Sequence, residues 1–237
     1  SKSTAIGYQA LTQQNYATTT DSNNTAVGYN SGQAITTGIE NTLIGSESGD
    51  ALTTGLANTA LGAFSLGADT KGKYSVAIGQ AALATQNFTT ATDVYNVAVG
   101  YRSGVAVTTG TLNTIIGGLA GDALTTGFNN VAVGTSALSA EDTGRYNVAI
   151  GKGALAVQNS DADNYNTAVG YEAGNSVTSA VQNTLIGGLA GDAITTGNYN
   201  NFLGYNSGSA NSIGTHNVGL GRSALASNVA GNKSSVI

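Results

Sequence analysis

The sequence predicts an all-β fold, a β-solenoid of about thirteen coils of 17 residues. Three observations predict it. A short motif ending in glycine recurs along the whole chain, its spacing is nearly constant, and the residues inside it are apolar and partly β-branched.

The motif reads Asn24-Thr25-Ala26-Val27-Gly28, then Asn41-Thr42-Leu43-Ile44-Gly45, then Asn58-Thr59-Ala60-Leu61-Gly62. Its glycines are Gly7, Gly28, Gly45, Gly62, Gly79, Gly100, Gly117, Gly134, Gly151, Gly170, Gly187, Gly204 and Gly221. Nine of their twelve intervals are 17 residues and the others are 21, 21 and 19. The long intervals follow Gly7, Gly79 and Gly151, so a four-coil unit repeats, starting near residues 3, 75, 147 and 217. The whole of 1–237 reads as a single repeat domain. A helical repeat needs roughly 33 residues or more, too many for this spacing. Two short strands and two turns fit it, with glycine supplying one turn and asparagine the opposite corner. At about 4.8 Å per coil, thirteen coils give a segment about 60 Å long.

Composition agrees. There are 34 Gly and no Pro, Cys, Met or Trp. Only 9% of residues are charged, against about a quarter in ordinary globular domains. Hydrophobic residues reach 41%, too many for a disordered chain. The net charge of −5 offers no basic face for nucleic acid, and no apolar run approaches the ~20 residues of a membrane span.

Alignment on the glycines turns columns into physical expectations. The residue before the glycine is Ile6, Val27, Ile44, Leu61, Ile78, Val99, Ile116, Val133, Ile150, Val169, Ile186, Leu203 and Leu220. This uniformly aliphatic column is expected to be the structural core. The residue before that points to the opposite face of the strand. It is Ala in eight coils, and Leu43, Ile115, Leu185, Phe202 or Gly219 in others. A small apolar column with no charge is expected to be covered by another copy of the chain, so an oligomer is expected. The Asn column has two readings, a ladder of amides along the stack or local turn bonding.

Ten of the eleven tyrosines occupy two columns, which reads as corner packing before it reads as a sugar-stacking stripe. His216 falls in one of those columns. With one His and no Cys, a transition-metal site lacks its usual ligands, and no cofactor motif is present. Asp50, Asp122 and Asp192 recur once per four coils, roughly 19 Å apart, and read as turn caps. Thr-Thr-Gly elements such as Thr53-Thr54-Gly55 are too interrupted for a regular ice-binding ladder. The long loops, Gln13–Asn23, Gln86–Val94 and Gln158–Asn164, are the candidate receptor contacts through Tyr16, Asp21, Phe88, Asp93, Asp161 and Asp163. Carboxylates are scattered rather than paired, so no catalytic residue is expected and the chain reads as a non-enzyme.

The stretches Tyr74-Ser75-Val76-Ala77-Ile78-Gly79 and Asn147-Val148-Ala149-Ile150-Gly151 resemble the head repeats of YadA-like trimeric autotransporter adhesins. Asn24 to Tyr29 and Asn166 to Tyr171 are similar to the Asn-Thr-Ala-Val-Gly-Tyr repeats of bacteriophage tail fibres. The resemblance covers essentially the whole chain. It implies a left-handed parallel β-roll assembled as a homotrimer, in a virion tail fibre or on a bacterial surface, and extracellular. The coils are longer than the adhesin-head repeat, so the tail fibre comes first and the bacterial adhesin second. The expected partners are other copies of the chain and a cell-surface glycan or protein receptor. A monomeric ice-binding solenoid is the reading furthest from these.

Overall fold

The computed structural model describes residues 2–17 and 21–237. Residues 18–20, within the first long loop, lie outside the described residues. The chain resolves into two compact units, Ser1–Ile115 and Ile116–Ile237.

Both units are built the same way, as a parallel β-solenoid with about fourteen turns in the chain. The first unit contains β1 (Thr4–Ile6), β2 (Thr25–Val27), β3 (Thr42–Ile44), β4 (Thr59–Leu61), β5 (Gly72–Lys73), β6 (Val76–Ile78), β7 (Thr92–Asp93) and β8 (Val97–Val99). Strand β9 (Thr114–Ile116) spans the boundary between the units. The second unit contains β10 (Val131–Val133), β11 (Val148–Ile150), β12 (Thr167–Val169), β13 (Thr184–Ile186), β14 (Asn201–Leu203), β15 (Val218–Leu220) and β16 (Ser235–Val236). Consecutive rungs pair in parallel without slippage: Thr25 faces Thr42, Leu43 faces Ala60, and Val133 faces Ile150. Only β5 and β7 stand aside, pairing with each other at a long loop.

Apart from the rungs that also hold β5 or β7, and the two-residue β16, each rung carries one three-residue strand, not the two expected. The rest is a series of corners that still bond rung to rung. Glu47 N–H donates to Tyr29 O at 2.8 Å, Thr53 N–H to Thr70 O at 2.9 Å, and Ala57 N–H to Ile39 O at 3.0 Å. Stacking is therefore bonded around the circuit, although little of it has strand geometry. The glycine after most strands is required by close approach, Gly221 being the exception. Gly45 has φ +142°, and a Cβ there would fall 2.5 Å from Gly62 O in the next rung. That clash is with backbone and cannot relax.

The structure reverses the two faces of the strand. From β2 on, the middle residue of each three-residue strand is the buried one: Ala26, Leu43, Ala60, Ala77, Ala98, Ile115, Ala149, Ala168, Leu185 and Phe202 are fully buried, while Ala5 in the terminal β1 is exposed. Ile6, Val27, Ile44, Leu61, Ile78, Val99, Ile116, Val133, Ile150, Val169, Ile186, Leu203 and Leu220 lie on the outer face, half-buried or exposed. The expectation that they form the core is corrected. An alanine column can face inward because larger side chains enter from the corners. Ile35, Leu52, Leu66, Leu83, Val107, Leu124, Leu138, Leu155 and Ile194 are all fully buried and supply the bulk.

Size is matched within most rungs and between neighbours in the rest, where Ala26, Ala98 and Ala168 go with Gly32, Gly104 and Gly174 and a Cβ on those glycines would meet Leu43, Ile115 and Leu185 of the next rung. Where the strand residue is Ala60, Ala77, Ala132 or Ala149, the corner four positions after the glycine is Leu66, Leu83, Leu138 or Leu155. Where the strand residue is Leu43 or Leu185, that corner is Gly49 or Gly191. A Cβ on Gly49 would lie 2.8 Å from Leu43 Cδ2. The fourth coil of the unit that starts near residue 147 uses Phe202 with Gly208, and Gly219 stands next in register with the ring.

Candidate functional site

Two surfaces stand out from this frame. The first is the outer strand face. Each strand offers its first and third residues to it, so its rows read Thr, Val or Asn beside Ile, Val or Leu, with no charged residue in β1–β4, β6 or β8–β15. In the single chain Ile6 is 60% exposed, Leu61 43%, Leu203 46% and Leu220 41%. In the second unit a shallow apolar groove of 250 Å³ runs between Ile186, Leu203 and Leu220, flanked by Thr184, Asn201 and Val218.

The second surface surrounds the long loops, and here the sequence-based candidates fall in several places. Phe88 is buried at 7% exposure and is corrected from a receptor contact to a loop anchor. Tyr16 is half-buried and its hydroxyl donates to Gly38 O. Asp21 is exposed and pairs with Lys2 at 2.8 Å. Asp93 pairs with Lys73 at 3.2 Å and Asp163 with Arg145 at 3.1 Å. Asp161 accepts a hydrogen bond from the Thr143 hydroxyl. These carboxylates remain exposed, but each is already engaged in fastening its loop to the preceding rung. Exposed pairs of this kind contribute about 0–1 kcal/mol.

Sequence reasoning missed the residues that hold the loops most firmly. Asp69 and Glu141 are fully buried carboxylates, each one rung before a long loop. Asp69 accepts from Gly72 N–H at 3.0 Å, Phe88 N–H at 3.1 Å and Gln86 Nε2 at 2.7 Å. Glu141 accepts from Gly144 N–H at 2.8 Å, Gln158 Nε2 at 2.8 Å, Asn164 Nδ2 at 3.0 Å and Ser160 N–H at 3.3 Å. Burial pushes the Glu141 carboxyl above its usual range, against the lowering effect of those hydrogen bonds. Every neighbour named is an N–H donor, an arrangement that suits an anion and leaves a cation no ligand set. The signal was present in the sequence: Ile35, Leu52, Asp69 and Gln86 are spaced by 17, so the column changes from apolar to polar beside the loop.

The same two junctions carry stacked tyrosines. Tyr74 and Tyr95 lie 5.1 Å apart at 11°, and Tyr146 and Tyr165 lie 4.9 Å apart at 1°. Tyr199 is followed by His216 at 4.7 Å, which places the histidine as another corner ring. Arg145 sits 5.1 Å from the Phe128 ring centre, adding a cation–π contact. Rings that cover one another agree with corner packing. Asp50 and Asp192 sit at corners where burial raises their carboxyls. In the Thr-Thr-Gly elements the first hydroxyl is used internally, Thr53 Oγ1 donating to Thr70 O at 3.0 Å, while Thr54 is exposed. Among the described residues no group of three or more His, Cys, Asp or Glu could hold a metal ion. No helix there is long and apolar enough to cross a membrane.

The fold and these surfaces define a repeat protein of the parallel β-solenoid class. No family model, characterised protein or solved structure matches the chain.

Proposed function

We propose that the chain is a non-catalytic structural segment of an extracellular fibre or adhesin, a left-handed β-roll assembled as a homotrimer that supports attachment to a host or surface. A virion tail fibre is the first assignment and a trimeric autotransporter-type bacterial adhesin the second, both from the resemblance of the repeats. The observation that supports a scaffold role is the recurrence of one exposed assembly. An anchored loop, an ion pair and a stacked tyrosine pair appear at Lys73–Tyr95 and again at Arg145–Tyr165, on rungs otherwise bonded alike. Bonded rungs that carry the same surface feature once in each unit suit multivalent display.

Molar mass in solution and binding of the purified chain to bacterial cells and glycan arrays test this reading. The expected mass is about 70 kDa, three times the 23.4 kDa of one chain. A single-chain species without cell or glycan binding would overturn it. The competing reading, a monomeric ice-binding solenoid, draws support from the outward row Thr25, Thr42 and Thr59. An ice-recrystallisation assay separates the two.

A further inference from the structure

We propose that Tyr171 and Tyr205 clamp one pyranose ring of a glycan between them, across the rung that carries Gly188, which deepens the attachment part of the reading above and rests on it. These three residues follow the strand-end glycines of consecutive rungs in the second unit. The backbone keeps them in step, with Leu189 N–H donating to Tyr171 O at 2.8 Å and Asn206 N–H to Gly188 O at 2.9 Å. Both rings are exposed, Tyr171 at 51% and Tyr205 at 53%. The residue between them is glycine and puts no side chain into the gap.

The outer faces of the two rings are taken by cations. Lys152, one rung before Tyr171, holds Nζ 5.4 Å from that ring's centre. Arg222, one rung after Tyr205, holds its guanidinium carbon 6.0 Å from the other. The register of these rungs is set by Glu172 N–H donating to Lys152 O and Ser223 N–H to Tyr205 O, both at 2.9 Å. Each ring therefore keeps one open face, and both open faces look toward the glycine rung. In the first unit the same column behaves differently. Tyr8 and Tyr29 lie on adjacent rungs and stack on each other at 5.5 Å and 9°, which closes any gap and shows that rings in this column face along the stack.

Width and ring chemistry select the occupant. Two rungs at ~4.8 Å each place the tyrosines about 9.6 Å apart. A flat aromatic guest, in contact at ~3.5 Å, would sit loosely there. A puckered pyranose is thicker by its axial hydrogens, and a guest centred ~4.8 Å from each ring lies within the stacking range of about 4.5–7 Å. Its C–H groups would meet the electron-rich faces of both tyrosines. Only a ring with every hydroxyl equatorial shows C–H groups alone on both sides, so the gluco configuration fits and the galacto configuration sets an axial hydroxyl against one wall. The equatorial hydroxyls leave by the edge of the gap, where the half-buried Asn206 adds an amide next to Tyr205.

Calorimetric titration of the full chain with cellotetraose and with its galactose counterpart tests the clamp. The glucose oligomer should bind at least about fivefold more tightly than the galactose one, and Tyr171→Ala and Tyr205→Ala should each weaken its binding by a similar factor. Tyr29→Ala should leave binding unchanged. Gly188→Tyr fills the gap without removing either wall, and a Cβ there meets Tyr205 Cδ2 at an ordinary 3.5 Å. That variant should lose binding while circular dichroism shows the β signal intact. Binding that survives Gly188→Tyr, equal binding of the two sugars, or no binding by the unaltered chain at millimolar sugar would overturn the clamp. None of these results touches the fibre reading, which mass in solution and adhesion to cells decide. A single-chain species that still binds cellotetraose through both tyrosines would sink the fibre reading and keep the clamp.

Discussion

Asn41 Oδ1 accepts the backbone N–H of Asn58 at 3.0 Å, while Asn41 Nδ2 donates to Gly55 O at 2.9 Å. One amide therefore closes its own rung and fastens the next. The same pair of bonds recurs at Asn183, to Asn200 N–H at 2.9 Å and Gly197 O at 3.0 Å. Ladder and turn, posed as alternatives by the sequence, are two ends of one side chain.

Asn183→Ala should destabilise the second unit by about 2–4 kcal/mol, since buried backbone groups in two rungs lose their partner at once. Asn183→Asp should cost a comparable amount, because it keeps the acceptor and loses the donor to Gly197 O. Denaturant midpoints check this. Stability unchanged within 0.5 kcal/mol, approximately the scatter for neutral surface changes, would contradict the ladder.

Core volume is exchanged between the strand and the corner. Leu43→Ala should cost about 2–5 kcal/mol, as for other buried leucines. Adding Gly49→Leu should return much of that loss, because Gly49 has the same left-handed backbone, φ +55°, as Leu66 at +53°. The double variant recreates the Ala60–Leu66 arrangement found one rung later. Thermal denaturation of the single and double variants decides whether the exchange is real.

The period, the glycine at each strand end and the order of rungs were legible because one backbone circuit repeats thirteen times. The inside of the strand was not. Alternation says that Ala26 and Val27 face opposite ways, but with both columns apolar it does not say which faces the core. That depends on Ile35, Leu52 and Leu66, which reach the interior from corners where no strand pattern marks them. Left-handed backbone at Leu66, Tyr74 and Leu83 was equally hidden, since such residues rarely adopt positive φ. Phe88 was misplaced for a related reason. Phe88 and the aspartates look like display residues in a polar loop, and only the rungs beneath show what they fasten.

Loop anchoring should depend on the buried carboxylate and not on the exposed ion pair. Asp93→Asn breaks the contact with Lys73 and should change stability by less than about 1 kcal/mol. Asp69→Ala leaves Gly72 N–H, Phe88 N–H and Gln86 Nε2 without their acceptor, and should open the 86–94 loop to protease. Limited proteolysis should cut Asp69→Ala in this loop and leave Asp93→Asn intact. Equal resistance in both variants would assign the loop's order to something other than Asp69.

Glu141 gives the last prediction its sign. Burial raises its folded-state pKa above the unfolded value, so the folded protein binds the extra proton more readily. A carboxyl of this kind opposes folding at neutral pH, and that cost disappears as pH falls through the folded pKa toward the unfolded one. Glu141→Gln cannot titrate there, and its amide would face the donors Gln158 Nε2 and Asn164 Nδ2. Gln158 cannot simply turn over, because its Oε1 already accepts from Asn166 Nδ2 at 2.9 Å. The variant should therefore be less stable at every pH, and the gap to the unaltered chain should widen as the pH is lowered from 8 toward the ordinary carboxylate range. Asp50 and Asp192, raised by burial in both proteins, cancel in that difference. Denaturation of the two proteins across this range measures the gap directly. A gap that narrows toward acid would mean that the four donors outweigh burial and hold Glu141 as the anion.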